Sequence, residues 1–259
     1  MTLIVQEIYQ YREMIVNLVH KELRGRYKGS VLGFLWTFIN PLMQLVVYST
    51  VFSVILRAGI DKYYLFLFVA LIPWMFFSTS LSVGTGIIAR EKNLVTKIYF
   101  PREVLPISYV TSNFVNMLYS FVIVIAAVLI FGDNLNLVAW LFLPLIMAIE
   151  YMFTLGCVLI ASSITVYLRD MEHIIGILTM AWQFLTPVMY SADMVPDNLM
   201  PIFLINPMTT IIMAYRDVLY YGRIPELGVL ALPLVVSVII LVLGEIIFRK
   251  LQRGFAEEL

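Results

Sequence analysis

The feature that most constrains this 259-residue chain is a series of apolar stretches, each long enough to cross a lipid bilayer as a helix. A spanning helix needs about 20 mainly apolar residues, and its backbone hydrogen bonds must close internally because the hydrocarbon core offers no water. Six windows meet that length: 31–56, 63–88, 104–131, 137–165, 173–191 and 228–248. Each holds one proline, namely Pro41, Pro73, Pro106, Pro144, Pro187 and Pro233. In a helix interior such a residue frees a carbonyl and permits a kink. The chain is 61% hydrophobic and 13% charged, with a mean hydropathy of +0.93, more apolar surface than a soluble core absorbs. The fold expected is therefore an all-α integral membrane protein with six transmembrane helices.

Charge placement sets the orientation. Seventeen basic and seventeen acidic residues cancel, so no net field draws the chain to nucleic acid. Arg12, Lys21, Arg24, Arg26, Lys28, Arg90, Lys92, Lys97, Arg102, Arg169, Arg249, Lys250 and Arg253 fall on one side of the six-span arrangement. Arg57, Lys62, Arg216 and Arg223 fall on the other. Basic residues concentrate on the cytoplasmic side, so both termini are expected in the cytoplasm and the protein in the cell (inner) membrane.

Residues 1–30 read as a cytoplasmic interfacial helix, and residues 31–259 as the six-helix transmembrane domain. Ile4, Ile8, Tyr11, Ile15 and Leu18 recur on one helical face, while Glu7, Gln10, Glu13, Asn17, Lys21 and Arg24 occupy the other. This is the pattern of an amphipathic helix in the headgroup plane. The outer connection 192–227 carries Pro196, Pro201, Pro207 and Pro225, with apolar runs too short to cross. Short re-entrant or interfacial helices are expected there, serving as a gate on the exit or as a cap over helix ends.

No Gly-x-x-x-x-Gly-Lys-Ser/Thr loop occurs, so any ATP must be handled by another subunit. His20 and His173 are the only histidines and Cys157 the only cysteine, so neither a metal site nor a catalytic residue is assigned. No Gly-x-Ser-x-Gly elbow is present either, against a membrane-embedded hydrolase or glycan-processing enzyme. Two carboxylates fall inside the windows. Glu245 stands one turn before Arg249, where an i,i+4 pair accounts for it. Glu150 has no local partner, which leaves protonation, pairing across the bundle or a place on a hydrated path. It also keeps a proton-coupled secondary transporter or lipid flippase in view as an alternative. On the first window Phe34, Phe38, Tyr48 and Phe52 share one face with Pro41 and Leu45, suited to stacking on sugar rings or to ordinary helix packing.

Several segments resemble the permeases of polysaccharide-exporting ABC transporters, the teichoic-acid and O-antigen translocators. Arg26-Tyr-Lys-Gly-Ser-Val-Leu-Gly-Phe-Leu-Trp36, leading to Asn40-Pro41, is similar to the start of their first span. Glu91-Lys-Asn-Leu-Val-Thr-Lys-Ile-Tyr-Phe-Pro-Arg-Glu103 resembles their coupling helix. Tyr167-Leu-Arg-Asp170, Thr186-Pro-Val-Met-Tyr190 and Asn206-Pro207 follow in the same order. The resemblance implies a homodimer bound to two ATPase subunits that carry ATP and Mg, with no cofactor in this chain. It also implies export of a polyprenyl-diphosphate-linked glycan, and the compact chain favours teichoic acid over O-antigen polysaccharide.

Site expectations follow. In the coupling segment 89–103, Glu91, Leu94, Lys97, Ile98, Tyr99, Phe100 and Arg102 mix apolar anchors with charged rims suited to a partner's groove. Arg24, Arg26, Lys28, Gly29, Gly33 and Trp36 form a substrate entrance, where bases at headgroup depth attract a diphosphate or merely orient the protein. Phe34, Phe38, Tyr48, Phe52 and Glu150 are the residues expected along a translocation path.

Overall fold

The computed structural model describes residues 9–26, 28–55, 57 and 59–259. Ile4, Glu7 and Ile8 of the expected interfacial helix, Tyr27 of the entrance segment and Leu56 at the end of the first window lie outside the described residues. The helices, in chain order, are α1 Arg12–Gly25, α2 Trp36–Ser49, α3 Tyr63–Gly84, α4 Ile87–Arg90, α5 Lys92–Lys97, α6 Val104–Phe131 and α7 Leu137–Trp140. They continue as α8 Leu143–Thr165, α9 Met171–Phe184, α10 Met200–Ile205, α11 Pro207–Leu219, α12 Leu227–Leu251 and α13 Phe255–Glu258. A tight turn at Gly33–Leu35 precedes α2 and a wide helical turn at Thr50–Ile55 extends it. No strand occurs among the described residues.

α3 is apolar on every face, as a helix surrounded by others must be. It packs against α2, α6, α8, α9 and α11 and forms the centre of the bundle. α8 and α12 make the most intimate pair, brought together by two glycines. A Cβ on Gly156 would stand 2.7 Å from the Ile240 carbonyl carbon, and one on Gly244 would stand 2.7 Å from the Gly156 carbonyl oxygen. Small residues at such crossings let backbones touch, which supplies packing where the hydrophobic effect is absent. α1 turns Tyr11, Met14, Ile15 and Leu18 toward the core and packs on α6, so part of its apolar stripe meets protein.

Two expectations need correction. Five segments among the described residues are long and apolar enough to span: Gly33–Ile55, Tyr63–Gly84, Val104–Phe131, Leu137–Thr165 and Gly228–Glu258. The fifth window, 173–191, is helical only over the 14-residue α9 and continues as turns from Leu185 through Thr186 and Pro187. At 1.5 Å per residue α9 covers about 21 Å of a core about 30 Å thick. The prolines also divide. Pro41, Pro73 and Pro233 are interior to helices. Pro106 and Pro144 sit in first turns, where the missing N–H would have had no intrahelical acceptor. Pro187 lies beyond its helix altogether.

Candidate functional site

The segment joining α1 to α2 reverses direction at Gly29 and Gly33, whose φ angles of +83° and +46° suit residues without a Cβ. This reversal sorts the expected entrance residues onto two cavities. Arg24, Lys28, Gly33 and Phe34 line an open cleft of about 700 Å³ with His20, Leu23 and Tyr119. Phe34 meets Phe38 and Tyr119 edge to face, each at 5.3 Å between ring centres. Arg26 points the other way and donates to Asn113 Oδ1 and, at 3.5 Å, to Ser112 Oγ on α6. With Trp36 it lines a second cavity of about 140 Å³ between α2, α3 and α6, among Thr37, Asn40, Thr79, Asn113, Asn116 and Ser120. Gly29 borders neither cavity.

The aromatic stripe does not form one continuous lining within a single chain. Phe34 is half exposed, whereas Tyr48 and Phe52 pack toward the core, Phe52 stacked on Tyr63 at 6.2 Å. Glu150 is fully buried between α8 and α11 and borders none of the cavities described here. The Tyr215 hydroxyl donates to its Oε2 at 2.7 Å. The partner across the bundle is thus a neutral hydroxyl, which bonds the carboxyl whether or not it is protonated.

On the basic side, α4 and α5 lead into an extended stretch, and the expected anchors part company. Ile98 is 55% and Tyr99 95% exposed, while Phe100 is buried in the chain's own core and Leu94 is half-buried beside buried Val95. Glu91 accepts from Lys21 at 2.7 Å, and Lys97 is exposed. Ile98, Tyr99, Phe100, Arg102 and Glu103 line a cleft of about 330 Å³ with Arg249, Gln252 and Arg253 from the end of the chain. Arg102 donates to the Gln252 carbonyl, and Gln252 Nε2 donates to Glu103 Oε1 at 2.9 Å. Arg249 lies 3.3 Å from Glu103 and 2.6 Å from Glu245, so the i,i+4 pair read from the sequence is present and extended. Burial pushes the Glu103 carboxyl above the usual carboxylate range, opposed by Arg249 and Gln252.

The opposite side holds a structure that sequence reading missed. Between the end of α9 and the outer helices, every carbonyl from Phe184 to Tyr190 accepts a hydrogen bond. Tyr190 Oη serves Phe184 at 2.8 Å, Asn206 Nδ2 serves Leu185 at 3.2 Å, and Val188 N serves Thr186 at 2.7 Å. Arg216 donates to the carbonyls of Pro187, Val188 at 2.7 Å and Tyr190 at 3.2 Å, and Tyr63 Oη donates to that of Met189 at 2.6 Å. The Arg216 guanidinium also lies 3.6 Å from the centre of the Phe66 ring. A helix that stops short exposes carbonyls, and these side chains answer them. The available signal was an arginine inside the apolar run 208–221. Asn113, Asn116 and Ser120, at three- and four-residue spacing in an apolar window, were the corresponding signal for the inner cavity. No group of three or more potential metal ligands occurs among the described residues.

A helical bundle with five segments, among its described residues, long and apolar enough to cross a bilayer defines a multi-pass membrane protein. Residues 13–220 match the family described as ABC-2 type transporter, and the chain belongs to that family. It is 36% identical over 258 residues to the O-antigen export system permease protein RfbA of Myxococcus xanthus, covering 99% of both chains. It is 30% identical to the protein of the same name from Klebsiella pneumoniae, over 95% of this chain and 94% of that one. The polysialic acid transport protein KpsM of Escherichia coli is 22% identical, over 80% of this chain and 81% of its own length.

Proposed function

We propose that this chain is the permease of an ATP-driven exporter that moves an O-antigen-type polysaccharide, linked to a polyprenyl diphosphate, out of the cytoplasm. The observation that carries the reading is the end-to-end match to a protein named for O-antigen export. O-antigen-type polysaccharide, not teichoic acid, is the substrate these relatives support, because they are named for O-antigen and polysialic acid. We place it in the inner membrane with both termini in the cytoplasm, as a homodimer with two ATPase subunits that bind ATP and Mg.

Exposed Ile98 and Tyr99, with Arg102, Arg249 and Arg253 around the adjoining cleft, support docking of an ATPase groove on that surface. The open cleft with Arg24 and Lys28 at its rim supports arrival of a diphosphate at headgroup depth. Homodimerisation is supported by α2, whose outward face includes exposed Asn40 beside Met43, Val46 and Val47. Lipid covers apolar side chains well but leaves an amide unanswered, so a second copy or water is the better neighbour. Deletion of the gene in its host tests the reading. Surface polysaccharide should disappear while its lipid-linked form accumulates in the cytoplasmic leaflet, and unaltered surface polysaccharide would refute the assignment.

A further inference from the structure

We infer that the inner cavity between α2, α3 and α6 is a sugar-binding pocket, which receives the first monosaccharide after the diphosphate. The inference rests on the export reading and adds a subsite to it.

Three observations converge. The lining is amide, hydroxyl and aromatic: Asn40, Asn113 and Asn116, Thr37, Thr79 and Ser120, with Trp36 and Phe76 as flat walls. Thr37, Asn113 and Ser120 are almost wholly buried and bond within the chain, Thr37 to Asn116 Oδ1 at 3.3 Å, Asn113 to Arg26 and Ser120 to the Thr37 carbonyl at 3.2 Å, which leaves Asn40 and Thr79 as the polar side chains that meet a ligand. No carboxylate lines the cavity, so a cation has no ligand there, and its one base, Arg26, is engaged by Asn113 and Ser112. A neutral ring edged with hydroxyls and flat on one face fits such a lining.

The second observation is the opening. α3 is the most enclosed spanning helix, yet Met75, Ser78, Thr79, Ser82 and Val83 stay accessible in part or whole. These positions follow i, i+3, i+4, i+7 and i+8 and so form one face. Thr79 stands both in that face and in the cavity wall, and exposed Asn40 on α2 lines the same cavity. The pocket therefore opens beside a hydroxyl-bearing stripe.

The third is order along the chain. Gly33 and Phe34 belong to the basic cleft with Arg24 and Lys28, and Trp36 and Thr37, one turn on, belong to the polar cavity. A diphosphate held at the first leaves the sugar bonded to it beside the second.

The experiment uses the assembled permease and ATPase complex in phospholipid vesicles. ATP hydrolysis is followed against two lipids, polyprenyl diphosphate bearing a single N-acetylglucosamine and the same lipid with a bare diphosphate. The unaltered complex should respond to the sugar-bearing lipid at the lower concentration. Asn40→Leu combined with Thr79→Val should raise the half-maximal concentration for that lipid roughly tenfold, as expected for the loss of two hydrogen bonds, and leave the bare lipid's value in place. Thr79→Ser, which keeps the hydroxyl, should behave as the unaltered protein. An equal shift for both lipids would make the pocket a reader of phosphate, and no shift for either would leave it a structural cavity; each result overturns the inference. If neither lipid stimulates the unaltered complex, the export reading itself fails and takes the pocket with it.

Discussion

The two spans Tyr63–Gly84 and Gly33–Ile55 are alike in length and both strongly apolar, yet 16 of the 22 residues of the first are buried within the chain and only Thr37 and Pro41 of the second. α3 is ringed by five neighbours; α2 touches α3 and α6 and leaves its other faces open. Apolar composition in a membrane protein thus says that a helix crosses, not what it packs against, because lipid satisfies an apolar face as well as protein does. The most enclosed part of the molecule is α3, α8 and α11, closed by glycine contacts between α8 and α12 and by the Arg216 hydrogen bonds. The open part is α2, where exposed Asn40 lies beside exposed Met43, Val46 and Val47, the face proposed for a second copy.

Substitutions sharpen that contrast. Gly156→Leu should have the largest effect, because the new side chain meets the backbone of Ile240 and Leu241, which cannot turn aside. A loss at or above about 3 kcal/mol, the upper end for overpacking, should appear as a collapse of the thermal unfolding midpoint in detergent. Arg216→Gln comes next. It strands carbonyls of Pro187, Val188 and Tyr190, and a cost of about 1–3 kcal/mol should be accompanied by protease access to the outer turn in sealed cells. Val47→Leu on the open face of α2 should be nearly silent in the solubilised single chain, within about 0.5 kcal/mol. Val47→Cys in a Cys157→Ala background should join two copies under oxidation in native membranes. Equal sensitivity at Gly156 and Val47 in the single chain would erase the distinction.

Local signals were legible and distant ones were not. Apolar length located the five long segments, and proximity in the chain was enough to associate Arg24 and Lys28 with Gly33. Hydropathy carried the fifth window through Pro187, because the donors that let the helix stop there come from elsewhere. Tyr63 lies 126 residues before the carbonyl it serves and Arg216 up to 29 residues after its acceptors. Arg26 looked like a free base until Asn113, 87 residues on, engaged it. Phe100 and Tyr99 are adjacent in sequence and opposite in exposure, a split that depends on which way an extended strand of chain turns over the core.

The proposed drive for transport is a partner's ATP hydrolysis, communicated through the surface around Ile98 and Tyr99. The direct measurement reconstitutes the permease with the proposed ATPase partner and follows a lipid-linked O-antigen glycan across the vesicle membrane. Transport should require ATP, persist without a pH gradient, and stop when Ile98→Ala and Tyr99→Ala are combined, with the permease still inserted. Transport by the permease alone, driven by a pH gradient without ATP, would contradict the account and return Glu150 to the centre of the mechanism.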